Sequence, residues 1–196
     1  MMTADAADQV VLFSGHMIDA PERAVERFPA RLEAGVARAI AAELDALGAG
    51  TNDIGVCGAA CGSDLLFASA ALDRRMTLRI YLPFDEPTFI ERSVATGGPR
   101  WIALYRRVIE AAAECVLAED RCGPLKPGED PFTRNNLLML SEAQMIRARA
   151  LRLLCVWDGE RGDGPGGTYD LVKAVRARHG EVRRIDTRAL LRAAGA

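Results

Sequence analysis

LRLLCVWDGERGDGPGGTYDLVKAV, residues 151–175, is the stretch from which the fold is read. Its apolar run at 152–157 passes through a glycine-laden turn into a helical pattern, the signature of a buried strand handing the chain to a helix. Gly164, Gly166 and Gly167 let the main chain approach a ligand closely. Thr168 is expected to cap the helix that follows, whose free N–H groups and positive dipole end favour an anion. This junction is a place for a phosphate.

The chain has 196 residues, 49% of them hydrophobic, enough to bury a substantial core and of a size that suits one α/β domain. Its 27 acidic and 25 basic residues leave a net charge of −2, so no global electrostatic case exists for a nucleic-acid or membrane partner. Arginines do crowd the segment 147–192, where solvated helix faces are the plainer explanation. The five cysteines, Cys57, Cys61, Cys115, Cys122 and Cys155, form no CxxC pair and have no histidine at zinc spacing, and are expected to be reduced and mostly buried. No basic segment leads into a long apolar core at the N-terminus, and no apolar run approaches bilayer length. The expectation is a soluble, cytoplasmic protein.

Residues 1–8 read as a flexible tail. The apolar run 9–14 (QVVLFS) is a first strand, followed by a polar, proline-marked loop in which His16, Asp19, Arg23 and Arg27 are either site residues or ordinary salt-bridge partners. Leu32, Val36, Ile40, Leu44 and Leu47 recur at helical spacing before Gly48. Further strands are expected at 54–57, 78–82, 115–117, 152–157 and 182–185, and helices at 63–75, 87–95, 101–113, 135–150 and 168–179. Residues 120–133 read as an irregular connection, and 187–194 as a short helix or a frayed end. Apolar strands alternating with helices call for an α/β fold: a Rossmann-like three-layer sandwich with a mostly parallel sheet of about six strands, forming one domain over 9–196. In such sheets ligands sit at the carboxyl ends of the strands, where the loops after the first, second and fifth strands should converge.

The standard nucleotide motifs are missing. No GxGxxG follows the first strand, which ends in Ser14, Gly15 and His16, and no GxxxxGK[ST] occurs anywhere. What remains is a paired cradle, 58–63 (Gly58, Ala59, Gly62 and Ser63 among them) and 164–168, whose main-chain N–H groups suit a phosphate bearing a base or sugar; close helix-to-strand packing is the competing explanation for each loop. His16 and His179, the only histidines, have no ligand partners at metal spacing, so no metal site is expected. Ser63 lies outside any GxSxG elbow, so a serine hydrolase would need His16 as a base from another loop. Trp157 either stacks on a base or belongs to the core, the latter being commoner at the end of an apolar strand.

GHMIDAP after the first strand, CGAACGSD after the second, the TRNNLLML helix start, and VWDG followed by GGTYDLV together resemble the SLOG superfamily, which includes the DprA, YpsA and Lonely Guy-type Rossmann-like proteins. The resemblance runs from Val10 to Ile185 and is nearest to YpsA-like and tetratricopeptide-associated members. It implies binding of a nucleotide or nucleotide-derived ligand through two glycine loops. Gly58, Gly62, Ser63 and Asp64 match the first loop, and Gly166, Gly167 and Thr168 the second. Lonely Guy-type phosphoribohydrolases carry PGGxGTxxE; here Gly167 adjoins Thr168 directly and Leu171 stands where the glutamate would fall. Asp170, one position earlier, points about 100° away round the helix. Asp64 and Asp158 are the other carboxylates available for a hydrolytic role. Arg134 resembles a family arginine that would neutralise a phosphate, the alternative being a helix-end surface arginine, and Asn135 or Asn136 would serve equally as a plain N-cap.

Three functions follow in order of preference: a nucleotide-binding sensor module; a nucleoside-monophosphate N-glycoside hydrolase using Asp64, Asp158 or Asp170; and, against the overall charge, a DprA-like binder of single-stranded DNA. No cofactor is implied, and a homodimer is left open.

Overall fold

The computed structural model describes residues 7–162 and 164–195. Six strands form one sheet in the order β4-β3-β2-β1-β5-β6, with every neighbouring pair parallel. They are β1 (Ala7–Gly15), β2 (Ile54–Cys57), β3 (Thr77–Leu82), β4 (Glu114–Leu117), β5 (Ala148–Trp157) and β6 (Glu181–Asp186). The helices are α1 (Glu33–Ala46), α2 (Ser63–Asp73), α3 (Glu86–Phe89), α4 (Pro99–Ala111), α5 (Ala118–Cys122), α6 (Pro131–Met145), α7 (Thr168–Arg176) and α8 (Thr187–Ala194). This is the α/β, Rossmann-like three-layer sandwich that the alternation of strands and helices requires.

Alternation along β1 divides the core in two. Val11 and Phe13 face a layer built from Val36, Ile40 and Leu44 of α1, Leu65 and Phe67 of α2, and Trp101, Tyr105 and Val108 of α4. Val10 and Leu12 face the other layer, made of Leu138, Met139 and Ala143 of α6 and Leu171, Val172 and Val175 of α7. Each fully buried side chain of this size contributes about 1.5–3 kcal/mol. Phe13 and Phe67 stack with centroids 4.4 Å apart, fixing α2 against the carboxyl half of β1. The chain winds outward from β1 through β4 on one side, then returns to place β5 on the other. β1 and β5 therefore send their connections to opposite faces, and a crevice opens between their carboxyl ends.

Several boundaries differ from the sequence expectation. Of the expected tail, residues 1–6 lie outside the described residues, whereas Ala7 and Asp8 already belong to β1, with Ala7 opposite Ala148. The helix expected at 135–150 is α6, which starts earlier because Asp130 accepts a hydrogen bond from Thr133 N at 2.6 Å and Pro131 occupies the first turn. It ends at Met145, because residues 148–150 join the ladder to β1. The expected helix at 87–95 divides into α3, a π turn at Ile90–Val94 and a 3-10 turn at Ala95–Gly97. α7 stops at Arg176, and His179 takes the left-handed conformation (φ 56°) before Gly180. Among the described residues no helix is long and apolar enough to cross a membrane.

Candidate functional site

Three loops meet at the carboxyl rim of the sheet because small residues let them touch. A Cβ on Gly15 would stand 2.3 Å from Ser63 Oγ and 2.9 Å from Val156 Cβ, so only glycine lets β1 end between α2 and β5. Gly62 has a φ of 106°, and a Cβ there would lie 2.5 Å from Ile18 N. In that space Met17 bridges to Gly62, Ile18 N donates to Cys61 O at 3.2 Å, and Ser63 donates to His16 O through both N (3.1 Å) and Oγ (2.8 Å). On the other side His16 N donates to Val156 O at 3.0 Å, and the Ser14 and Thr168 hydroxyls pair at 3.0 Å.

These seams enclose a cleft of about 540 Å³. Gly15, His16, Gly58, Asp64, Gly166, Gly167 and Thr168 line it, together with Asp19, Arg23 and Arg27 from the loop after β1. Phe89, Ser93 and Thr96, and Phe132, Asn135, Asn136 and Met139 of α6, complete the lining. Other candidates stand behind the wall. Ala59 is core, and Gly62 and Ser63 hold the first loop to the His16 strand end. Asp158 lies under His16 and Arg27. Arg134 is buried and donates to Gly123 O at 2.8 Å, tying α6 to the 123–130 connection instead of lining the cleft. Asp170 accepts a hydrogen bond from Gly166 N at 3.0 Å, so its carboxylate is spent within the second loop and one amide of that loop is already engaged.

Thr168 is not the helix cap. Gly167 holds that position, and Thr168 is the first helical residue with its hydroxyl turned to Ser14. The cap of α6 is Asp130, so neither Asn135 nor Asn136 plays that part. Trp157 belongs to the core and also reaches the cleft lining: 5% exposed, it donates from Nε1 to Glu160 O at 2.7 Å and packs near Tyr169.

The chain matches no family model, and no curated protein matches it either.

Asp64, on the cleft lining, and Asp158, behind it, sit in opposite environments. Asp64 carries its Oδ2 over Gly58, and its Oδ1 is shielded from water with no hydrogen-bond partner. Burial pushes its carboxyl up to about 7, against the opposing pull of the Ala60 and Gly15 N–H groups. Burial would raise Asp158 too, but the Glu160 N–H, His16 and Arg27 outweigh it and hold that carboxyl below its ordinary value. Asp158 Oδ1 lies 3.2 Å from His16 Nε2, and Oδ2 lies 3.6 Å from Arg27 Nε. His16 Nε2 faces both Asp158 groups: it accepts the Asp158 N–H at 3.1 Å when the ring is neutral and meets Oδ1 when the ring is protonated. Burial lowers its pKa, outweighing the attraction of Asp158.

α7 starts at the cleft, with Gly167, Thr168 and Tyr169 on its lining, so the unpaired N–H groups of the first turn and the positive end of the helix dipole lie there. A Cβ on Gly167 would meet nothing within 4 Å. The arginines of the C-terminal third are spread among acidic partners: Arg152 with Glu181 at 2.8 Å, Arg183 with Glu43, Arg184 with Asp186 and Arg188 with Glu160, each of these three at 3.0 Å.

On the α6 side of the cleft, Asn135 and Asn136 are read from the sequence only as N-cap candidates, and Phe132 and Met139 are left out. The signal was available as Phe132, Asn135, Asn136 and Met139 at i, i+3, i+4 and i+7, which places them on one helix face.

Proposed function

We propose that the chain binds a nucleotide or nucleotide-derived ligand in the manner of the SLOG superfamily that its sequence resembles, as a sensor or ligand-binding module. One observation carries this reading: the glycine loops after β2 and β5, together with the end of β1, line one cleft at the point where the sheet's connections diverge. The phosphate is assigned to the start of α7, where Gly167 leaves room for it and the first-turn amides supply donors. The aromatic and amide residues of α6, which adjoin the second loop, suit the remainder of such a ligand. Calorimetric titration with a panel of nucleoside monophosphates tests this. Saturable binding is expected, weakened about tenfold or more by Gly167→Val, whose side chain would fill the phosphate position; unchanged affinity in that variant would remove the second loop from the site.

Asp64, a carboxyl on the cleft lining that burial pushes up to about 7, favours a second reading, hydrolysis of a nucleoside-monophosphate N-glycosidic bond. A carboxyl that titrates near neutrality suits a general acid or base. Release of free base from the same panel, abolished by Asp64→Asn, would establish turnover; binding without release leaves the sensor reading.

A further inference from the structure

α6 turns a stripe to the cleft whose chemistry differs from that of the glycine loops. Phe132, Asn135, Asn136 and Met139 all line the cleft, and their spacing puts an aromatic ring, two carboxamides and a thioether on one helix face. Phe132 remains 37% exposed, its ring held edge-on by Phe84 at a centroid distance of 5.5 Å. Asn135 is only 5% exposed. Its Nδ2 donates to Tyr81 O at 3.0 Å, which fixes the orientation of the amide and leaves Oδ1 buried without a partner. Buried side-chain oxygens nearly always find a donor, so an orphan acceptor on a residue that lines the cleft points to a donor supplied from the cleft.

The stripe is continuous with the second glycine loop. Asn136 Nδ2 donates to Gly166 O at 2.7 Å, and a Cβ on Gly166 would stand 2.5 Å from Phe132 Cβ. An anion at the start of α7 and a ring at Phe132 are therefore neighbours.

We infer that the α6 stripe is a subsite for a planar nitrogen heterocycle bearing an N–H donor, its ring against Phe132 and Met139 and its N–H on Asn135 Oδ1. This rests on the proposed function, because it assigns the base of the ligand whose phosphate meets the second loop. Flat rings stack on exposed aromatic side chains whatever their identity, while a fixed acceptor discriminates by the presence of a donor. Asn135 thus sets specificity, and Phe132 supplies affinity.

The test is calorimetry with AMP, GMP, purine riboside 5′-monophosphate, whose base has no N–H, and ribose 5-phosphate, which has no base. In the unmodified protein AMP or GMP should bind about tenfold tighter than the purine riboside monophosphate, which in turn should exceed ribose 5-phosphate. Phe132→Ala, at a partly exposed position, should cut the advantage of AMP or GMP over ribose 5-phosphate by about tenfold. Asn135→Ala should bring AMP or GMP level with the purine riboside monophosphate; should that variant not fold, the series in the unmodified protein and Phe132→Ala decide the matter. If ribose 5-phosphate binds as well as all three nucleotides, the base subsite is overturned while phosphate binding stands. Absence of binding by all four compounds overturns both.

Discussion

Asp64 Oδ2 lies 2.8 Å from the point at which a Cβ on residue 58 would stand. The first glycine loop therefore makes room for a carboxyl of its own chain, and that carboxyl, facing the Ala60 and Gly15 N–H groups, occupies part of the concavity the loop encloses. Substituting Gly58 by alanine forces this carboxyl aside. Gly58→Ala should lose about 1–3 kcal/mol of unfolding free energy in urea titration, as overpacking of a filled site does, and Gly58→Ala combined with Asp64→Ala should recover most of it. An unaltered midpoint in the single variant would show that the carboxyl has somewhere else to go.

Asp64 should also make stability fall as pH rises. Its folded-state pKa, about 7, exceeds the ordinary 3.8, so between these values the folded chain binds more protons than the unfolded one. Stability is full below about pH 4 on this account and declines through about pH 7, by up to about 4 kcal/mol, beyond which the contribution is constant. Asp64→Asn lacks this titration. Its unfolding free energy minus that of the unmodified protein should therefore increase from pH 4 to pH 7; a difference independent of pH would contradict the assignment.

His16 behaves in the opposite sense. Burial lowers its folded-state pKa from 6.5, outweighing the attraction of Asp158, whose Oδ1 lies 3.2 Å from Nε2. Between that lowered value and 6.5 the unfolded chain binds more protons, so this contribution to stability is lost as pH falls through the window. In proton NMR the His16 ring resonances should titrate with a midpoint below 6.5, and His16→Gln identifies them. A midpoint above 6.5 would mean that the ion pair with Asp158 dominates.

Two adjacent glycines should respond in contrary ways. Gly166 has a φ of 75°, and a Cβ there would lie 2.5 Å from Phe132 Cβ and Thr133 N, so Gly166→Ala should cost about 1–3 kcal/mol. Gly167 has a φ of −79° and open space about it, so Gly167→Ala should leave stability unchanged or raise it by about 0.4–1 kcal/mol. Paired thermal melts check both, and equal destabilisation would show that the loop differs from the geometry described.

Local patterns carried much of the fold. β2 occupies 54–57, as read from an apolar run, and 187–194, read as a short helix or a frayed end, is the helix α8, because burial and capping act within a few residues. The order of the loops along the rim came with the strand order; that the loops after the first, second and fifth strands share one rim followed from the parallel sheet. The extent of β5 did not, since residues 148–150 suit a helix and become strand only by pairing with β1, more than a hundred residues away. The parts taken by Thr168, Arg134 and Asp170 depend on Ser14, Gly123 and Gly166 respectively, contacts that residue type and spacing do not reveal.

From its sequence alone this chain determines strands, helices and the glycines that let its loops turn tightly, because each is governed by side-chain periodicity and backbone freedom over a single turn or strand. Tertiary structure decided which of those glycines face open space and which are filled by a neighbour, which carboxyl is paired and which is stranded, and that one face of α6 completes the cleft. Those outcomes depend on distances between residues far apart in the chain, set only when both faces of the sheet are covered and the strands take their order.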